Sequence, residues 1–111
     1  MINDCFIDIA IKEALKSSMT YRHGAIIIYR NKIIGKGYNK HAISYNKNIV
    51  YSKHAESEAI RNCKNQRLIP LSTLLVVRIG SDKTCRMSMP CVKCQKLINK
   101  VGFRRVIYSS Y

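Results

Sequence analysis

Two short motifs constrain this chain more than any other feature: His-Ala-Glu at residues 54–56 and Pro-Cys-Val-Lys-Cys at residues 90–94. Cys91 and Cys94 are three residues apart, so on a helix they share a face and both thiolates can reach one ion. His54 supplies an imidazole, which gives three zinc ligands in all. A zinc ion with three protein ligands keeps its fourth position open for water, as catalytic zinc sites do.

Glu56 lies two residues after His54, so on a helix the two side chains point in different directions. We therefore predict that Glu56 is not a zinc ligand. A carboxylate beside a zinc-bound water can take its proton and pass it on, which is general acid–base catalysis. Glu56 is accordingly the predicted catalytic residue.

A structural zinc site is the alternative, and it requires four protein ligands. Cys63, Cys85, His23 or His41 could supply the fourth ligand. None of these residues has the close spacing to the two motifs that structural zinc sites usually show. The catalytic interpretation is therefore preferred.

The distribution of apolar residues predicts an α/β protein with the element order α-β-β-α-β-α-β. The predicted helices span residues 2–17, 53–64 and 91–100, and the predicted strands span residues 25–30, 32–37, 73–79 and 103–109. The first two strands should form a hairpin that turns at Asn31, whereas strands joined by helices should be parallel. These elements predict one domain, residues 1–111, folded as a compact three-layer α/β/α sandwich on a mixed sheet of four strands.

Single residues add local detail to this arrangement. Gly35 and Gly37 indicate close backbone approach to a strand, in preference to a phosphate-binding loop. Residues 40–51 are predicted to be a loop, Ser52 to cap the second helix, and Gly102 to end the third.

Composition limits the environment and the partners. Twenty Lys and Arg residues against six Asp and Glu give a net charge of +14, which favours anionic partners such as nucleotides or nucleic acid. Lysines scattered over a solvated surface would give the same charge. Five cysteines, an odd number, are typical of a reducing compartment, so a cytoplasmic location is expected. No apolar run approaches the roughly 20 residues of a membrane span, so no membrane association is expected.

Taken together, His54-Ala55-Glu56 and Pro90-Cys91-Val92-Lys93-Cys94 form a known signature of zinc nucleobase deaminases. The chain resembles the cytidine/deoxycytidylate deaminase-like superfamily over residues 20–108. Gly35-Lys36-Gly37-Tyr38-Asn39 is similar to the family segment G-x-G-x-N, and residues 23–28 are similar to its first strand. The resemblance implies a cytidine deaminase-like fold.

The same resemblance implies a role for each matching residue. One Zn²⁺ per chain would be bound by His54, Cys91 and Cys94, and Glu56 would be the proton shuttle. Substrate contacts would come from Asn39 to the sugar, the Ala55 backbone to the base, Ser88 near the exocyclic amine and His23 in the base pocket. A turn residue at a strand end is the alternative interpretation of Asn39, and a local hydrogen-bonding residue is that of His23.

The implied reaction is hydrolytic deamination, in which zinc hydroxide attacks C4 of cytosine, or C6 of adenine, and ammonia leaves. A free nucleoside or nucleotide of the CMP/dCMP type is the preferred substrate. A deaminase of tRNA adenosine or single-stranded nucleic acid is the first alternative, and a non-catalytic zinc module that binds nucleic acid is the second. Many family members continue past the fourth strand, whereas this chain ends shortly after it, so that strand could be an exposed edge covered in a homo-oligomer.

Overall fold

A computed structural model describes residues 4–19, 21–43, 50–79, 85–86 and 92–108. The elements are α1 (Asp4–Ala14), β1 (Arg22–Tyr29), β2 (Lys32–Tyr38), β3 (Lys40–Ile43), β4 (Val50–Lys53), α2 (Ala55–Arg61), a 3-10 helix (Gln66–Leu71), β5 (Thr73–Ile79), β6 (Cys85–Arg86), α3 (Val92–Val101) and β7 (Arg105–Tyr108).

The main sheet is mixed, as predicted. Strand β1 lies between β2 and β5 and is antiparallel to both. Strand β7 runs parallel to β5 along residues 73–76, while the short β6 pairs antiparallel with residues 78–79 of the same strand. Strands β2, β5 and β7 therefore point in one direction, which confirms the predicted parallel relationship of the strands joined by helices.

Helices cover both faces of this sheet, because successive side chains of a strand point to opposite faces. On one face, Ile27 and Val76 belong to a core that includes residues of α2 and α3. On the other face, Ile26 and Val77 pack with residues of α1. The predicted three-layer α/β/α sandwich is confirmed. No helix in the described ranges is long and apolar enough to cross a membrane.

Glycine lets helix α2 lie directly against strand β2. A Cβ atom on Gly37 would lie 2.4 Å from the backbone nitrogen of Ala59 and 2.7 Å from the carbonyl oxygen of Ala55. A Cβ atom on Gly35 would lie 2.6 Å from the carbonyl oxygen of Ala59. Both glycines thus serve the close backbone approach that their positions predicted.

The predicted loop at residues 40–51 was wrong in part. Strands β3 and β4 form an antiparallel ribbon in which Lys40 pairs with Lys53 and Ile43 with Val50. The ribbon is separate from the main sheet. Its strands lack the alternation of apolar and polar residues that predicts a half-buried strand. Pairing through the main chain alone does not require that alternation.

The start of the second helix also differs from the prediction. Ser52 belongs to β4, and α2 begins at Ala55 with His54 as its N-cap residue. The His54 backbone is extended, with φ −85° and ψ 148°, and its side chain makes no capping hydrogen bond. Two other turn predictions are confirmed: Asn31 has φ +63° in the β1–β2 hairpin, and Gly102 ends α3 with φ +74°.

Candidate active site

The predicted site residues that the structure describes gather at one end of the main sheet. Strands β2 and β5 finish there and β1 begins there, since Gly24 pairs with Tyr38 and Arg22 with Ile79. Helix α2 starts at the same end, with the Ala55 carbonyl against Gly37. Ligand sites of α/β proteins lie beyond the carboxyl ends of parallel strands, so this is the expected location.

His54 is held at this end by the first turn of α2. Its carbonyl oxygen accepts hydrogen bonds from the Glu58 backbone N–H at 3.1 Å and from Ser57 Oγ at 2.9 Å. Its side chain is half-buried. An imidazole in this position is partly accessible while its backbone is fixed, which suits a metal ligand that must be pre-positioned.

Ala55 and Glu56 follow in the same turn and are buried. Ala55 has no exposed surface, and Glu56 is 5% exposed. Carboxylates are rarely this buried unless they are paired or used in chemistry. The burial of Glu56 beside His54 matches the enclosed position expected of a proton shuttle, whereas its catalytic role stays a prediction.

Asn39 joins the end of β2 to the start of β1. Its Oδ1 accepts a hydrogen bond from the His23 backbone N–H at 2.8 Å, and its Nδ2 donates to the Tyr21 carbonyl at 2.7 Å. Its own backbone N–H donates to the His23 carbonyl at 3.2 Å. The side chain is therefore a buried strand-end tether. An amide has two N–H donors and two acceptor lone pairs, so the predicted sugar contact is compatible with these bonds.

His23 lies in an environment that disfavours its charged form. Burial lowers the pKa of His23 to about 4, and electrostatic interactions with Arg78 and with His54 act in the same direction. His23 and Arg78 are partners in the register of β1 and β5. At neutral pH the His23 imidazole is uncharged, and it lies close enough to His54 to interact with it electrostatically.

Sequence reasoning missed Arg78 and Tyr21. The Arg78 guanidinium carbon lies 4.5 Å from the centre of the Tyr21 ring, a cation–π contact at the carboxyl end of β5. The only signal in the sequence was a single charged residue near the end of an otherwise apolar strand. The residues that lie next to Arg78 across the sheet could not be known without the register of the paired strands.

The remaining predicted site residues are only partly described. Cys91 and Ser88 lie outside the described residues, and Cys94 lies in the first turn of α3 with its side chain outside the description. Within the part of the chain that is described, no three His, Cys, Asp or Glu side chains form a metal-binding group. Helix α3, which carries Cys94, contacts helix α2, which begins directly after His54. One imidazole and two thiolates are a donor set that suits zinc.

Residues 2–110 match the profile of the cytidine and deoxycytidylate deaminase zinc-binding region. The chain belongs to this family. Membership supports a zinc-type deaminase domain and confirms the resemblance. No curated protein sequence matches the chain.

Solved structures support the fold. A dCMP deaminase from the cyanophage S-TIM5, in complex with dCMP and dUMP, is 17% identical, with a TM-score of 0.57 over 97% of this chain and 83% of that chain. A guanine deaminase from Bacillus subtilis is 21% identical, with a TM-score of 0.64 over 99% of this chain and 65% of that chain. A mutant cytidine deaminase from Mycobacterium tuberculosis is 14% identical, with a TM-score of 0.62 over 98% of this chain and 86% of that chain. At these identities the likeness establishes the cytidine deaminase-like fold alone.

Proposed function

We propose that this chain is a zinc-dependent hydrolytic deaminase that acts on cytosine in a free nucleoside or nucleotide of the CMP/dCMP type and releases ammonia. The observation that carries the proposal is the buried Glu56 carboxylate in the first turn of α2, two residues after His54. A structural zinc site has no need of a buried acid in this position. An enzyme that must move a proton from water to a base does need one.

The metal would be held by His54, Cys91 and Cys94, one ion per chain. When bound, zinc lowers the pKa of a water molecule so that hydroxide is available near neutral pH. Glu56 accepts the proton that this ionisation releases and transfers it to the substrate, so that the amine leaves as ammonia. Because Glu56 is enclosed, bulk water does not compete for that proton.

The chain's other residues bind and orient the substrate. The Ala55 backbone contacts the base, and Asn39 uses its remaining hydrogen-bonding capacity on the sugar. His23, which is uncharged at neutral pH, lines the base pocket and can accept or donate a hydrogen bond. Ser88 lies near the exocyclic amine. Polar groups that pair with a substrate in this way discriminate strongly against substrates that leave them unpaired.

The test is ammonia release from cytidine, deoxycytidine, CMP, dCMP, adenosine, guanine, single-stranded DNA and tRNA by the zinc-loaded protein. Glu56→Gln should lower kcat by about 10²- to 10⁴-fold while zinc content and fold are retained. Glu58→Gln is the matched control, because Glu58 is a second buried carboxylate on the same helix. It should retain most of kcat at saturating zinc. A fully zinc-loaded protein that releases ammonia from none of these substrates would refute the proposal.

A deaminase of tRNA adenosine or single-stranded nucleic acid is the second candidate, supported by the net charge of +14. Activity on the polynucleotides alone in the same assay would favour it. A non-catalytic zinc module is the third. It requires that Glu56→Ala leaves every activity unchanged while zinc removal unfolds the protein.

Self-association is also proposed. Strand β7 pairs with β5 on one side, and no described strand pairs with its other side. Unpaired strand edges are commonly covered by association. Multi-angle light scattering at micromolar concentration should give a multiple of the 12.8 kDa chain mass. A monomer mass would count against association.

A further inference from the structure

A charged groove runs along the outer edge of strand β2, with a volume of about 480 Å³. We call it the edge groove. Four lysines line it from four parts of the chain: Lys16 after α1, Lys36 on β2, Lys40 on β3 and Lys64 after α2. Only two acidic residues, Glu13 and Glu58, are among the described residues that line it. The zinc chemistry proposed above uses none of these residues.

The two carboxylates do not present negative charge to the groove. The side chains of Glu13 and Glu58 are each only 6% exposed, whereas those of Lys16, Lys36 and Lys40 are 44% to 54% exposed. Each carboxylate is therefore a buried partner of lysines whose side chains remain about half exposed. The charge available to a ligand in the groove is positive.

Glu13 anchors the end of the groove nearest α1. Its Oε1 accepts a hydrogen bond from Lys16 Nζ at 2.6 Å and lies 3.8 Å from Lys36 Nζ. At the other end, Glu58 Oε1 lies 3.5 Å from Lys40 Nζ. Glu13 thus brings together lysines from two elements, and Glu58 holds a third lysine that also lines the groove.

A peptide strand is not the occupant that this edge fits. The outward carbonyl oxygen of Ile34 accepts a hydrogen bond from the Lys64 backbone N–H at 2.8 Å. The outward carbonyl oxygen of Lys36 accepts one from Asn62 Nδ2 at 3.0 Å. Strand addition requires such carbonyls to be available, and here the end of α2 already uses them.

Tyr38 adds an aromatic surface to the row of cations. It lines the groove, and Lys40 Nζ lies 5.6 Å from the centre of its ring. A positive groove that contains an aromatic side chain is the combination that binds single-stranded nucleic acid, because phosphates follow the cations and bases stack on the ring.

The groove reaches the candidate active site. Tyr38 directly precedes Asn39, and the Glu58 backbone N–H donates to the His54 carbonyl at 3.1 Å. Two residues that line the groove, Tyr38 and Glu58, are therefore directly connected to two predicted site residues, Asn39 and His54. We propose that the edge groove binds single-stranded nucleic acid through Lys16, Lys36, Lys40 and Lys64. The choice of a single strand over a duplex rests on Tyr38, whose ring offers a stacking surface for an unpaired base. It agrees with the second candidate function, a deaminase of single-stranded nucleic acid, and does not depend on activity toward free nucleotides.

The test is fluorescence anisotropy of a labelled oligodeoxythymidine with the full zinc-loaded chain at several salt concentrations. Lys36→Gln combined with Lys64→Gln should weaken binding about tenfold at moderate salt. Each phosphate contact contributes about 0.7 to the slope of log affinity against log salt, so the loss of two contacts should reduce that slope by about 1.4.

The matched control is Lys96→Gln combined with Lys100→Gln. These lysines are exposed on α3, and their replacement removes the same charge. This control should keep the wild-type slope. Equal weakening of both double variants would show that only net charge matters and would overturn the proposal, as would a wild-type chain that does not bind. A duplex bound as tightly as the single strand would overturn the assignment to a single strand.

Deamination of a mononucleotide tests the proposed function separately from binding in the edge groove. The groove variant should release ammonia from dCMP as fast as the wild type if dCMP is a substrate, because a mononucleotide does not extend into the groove. Failure of the deaminase assay with groove-dependent binding intact would refute only the proposed function. Normal dCMP turnover without groove-dependent binding would refute only the binding of single-stranded nucleic acid in the edge groove.

Discussion

Lys40 Nζ lies 3.5 Å from Glu58 Oε1, and this contact joins the β3–β4 ribbon to helix α2. Lys53 Nζ lies 3.8 Å from the same oxygen. Lys40 and Lys53 are direct partners across the ribbon, where like charges repel. Glu58 offsets that repulsion, and Lys53 immediately precedes His54. One buried carboxylate thus sets the approach of the chain to the predicted zinc ligand.

Replacing Glu58 with Gln should lower both stability and zinc affinity. The free energy of unfolding should fall by about 1–2 kcal/mol, less than for a fully buried pair because the partner lysines remain partly solvated. Zinc affinity should fall because the ribbon no longer fixes residue 53. Urea unfolding and competition with a chromophoric chelator measure the two effects.

Glu13→Gln is the control for this variant. It removes an equally buried carboxylate that pairs with Lys16, on a helix that carries no predicted ligand. Its stability should fall while its zinc affinity stays at the wild-type value. Equal zinc affinities for the two variants would contradict a positioning role for Glu58.

Gly37→Ala should be strongly destabilising. The new methyl group would lie 2.4 Å from the Ala59 nitrogen and 2.7 Å from the Ala55 carbonyl oxygen, and these backbone atoms cannot rotate away. We expect a loss of roughly 3 kcal/mol or more in urea unfolding, together with reduced zinc affinity as the first turn of α2 is displaced.

Gly102→Ala is the comparison for Gly37→Ala. Gly102 has φ +74°, and no atom of the described residues lies within 4 Å of the place that its new methyl group would occupy. The cost should therefore be about 1 kcal/mol, from backbone strain alone. A smaller cost at Gly37 than at Gly102 would contradict the close packing of α2 on β2.

The layers of the fold could be predicted because burial leaves a pattern in the sequence. Residues 26–28 and 73–79 are apolar on both faces, and the structure covers both faces with helices. The β3–β4 ribbon could not be predicted in this way, since it is separate from the main sheet and its pairing is carried by the main chain. Ser52 has the chemistry of a helix cap, but it pairs with His41 in the ribbon, so the helix begins only after His54.

The candidate site was predictable only as far as spacing within a motif allows. His54 and Glu56 are two residues apart, so their separation on one turn follows from local geometry. The tether between Asn39 and His23 and the pairing of His23 with Arg78 join residues far apart in sequence. Such contacts depend on strand register, which a single sequence without strong alternation does not specify.

Asn39→Ala should destabilise the protein as well as reduce any sugar contact. It leaves the His23 N–H and the Tyr21 carbonyl without their side-chain partner, at a cost of about 1–3 kcal/mol. Asn39→Asp separates the two bonds, because a carboxylate still accepts from His23 but repels the Tyr21 carbonyl. We expect the Asp variant to be destabilised at neutral pH and to recover part of its stability below about pH 4, when the carboxyl group becomes a donor. Thermal unfolding of both variants across pH measures this, and a stability of wild-type size in the Ala variant would rule out the tether.

His23 should make folding sensitive to mild acid. Its pKa falls from 6.5 to about 4 on folding, first because of burial and then because of Arg78 and His54. Between those two pH values the unfolded chain carries a proton on this imidazole and the folded chain does not, so stability decreases as the pH is lowered through that window. Below about pH 4 the imidazole is protonated in both states, and the loss of stability that is due to His23 has reached its full size.

Proton NMR of the folded protein tests this directly, since the His23 ring resonances should titrate with a midpoint near 4. His23→Gln identifies those resonances by their disappearance. In the same variant, the free energy of unfolding should depend less on pH between about 4 and 6.5 than in the wild type. The other titrating groups are the same in both proteins, so the difference between the two curves reports His23. Parallel stability curves for the variant and the wild type, or a His23 midpoint near 6.5, would show that the imidazole is not held uncharged by its surroundings.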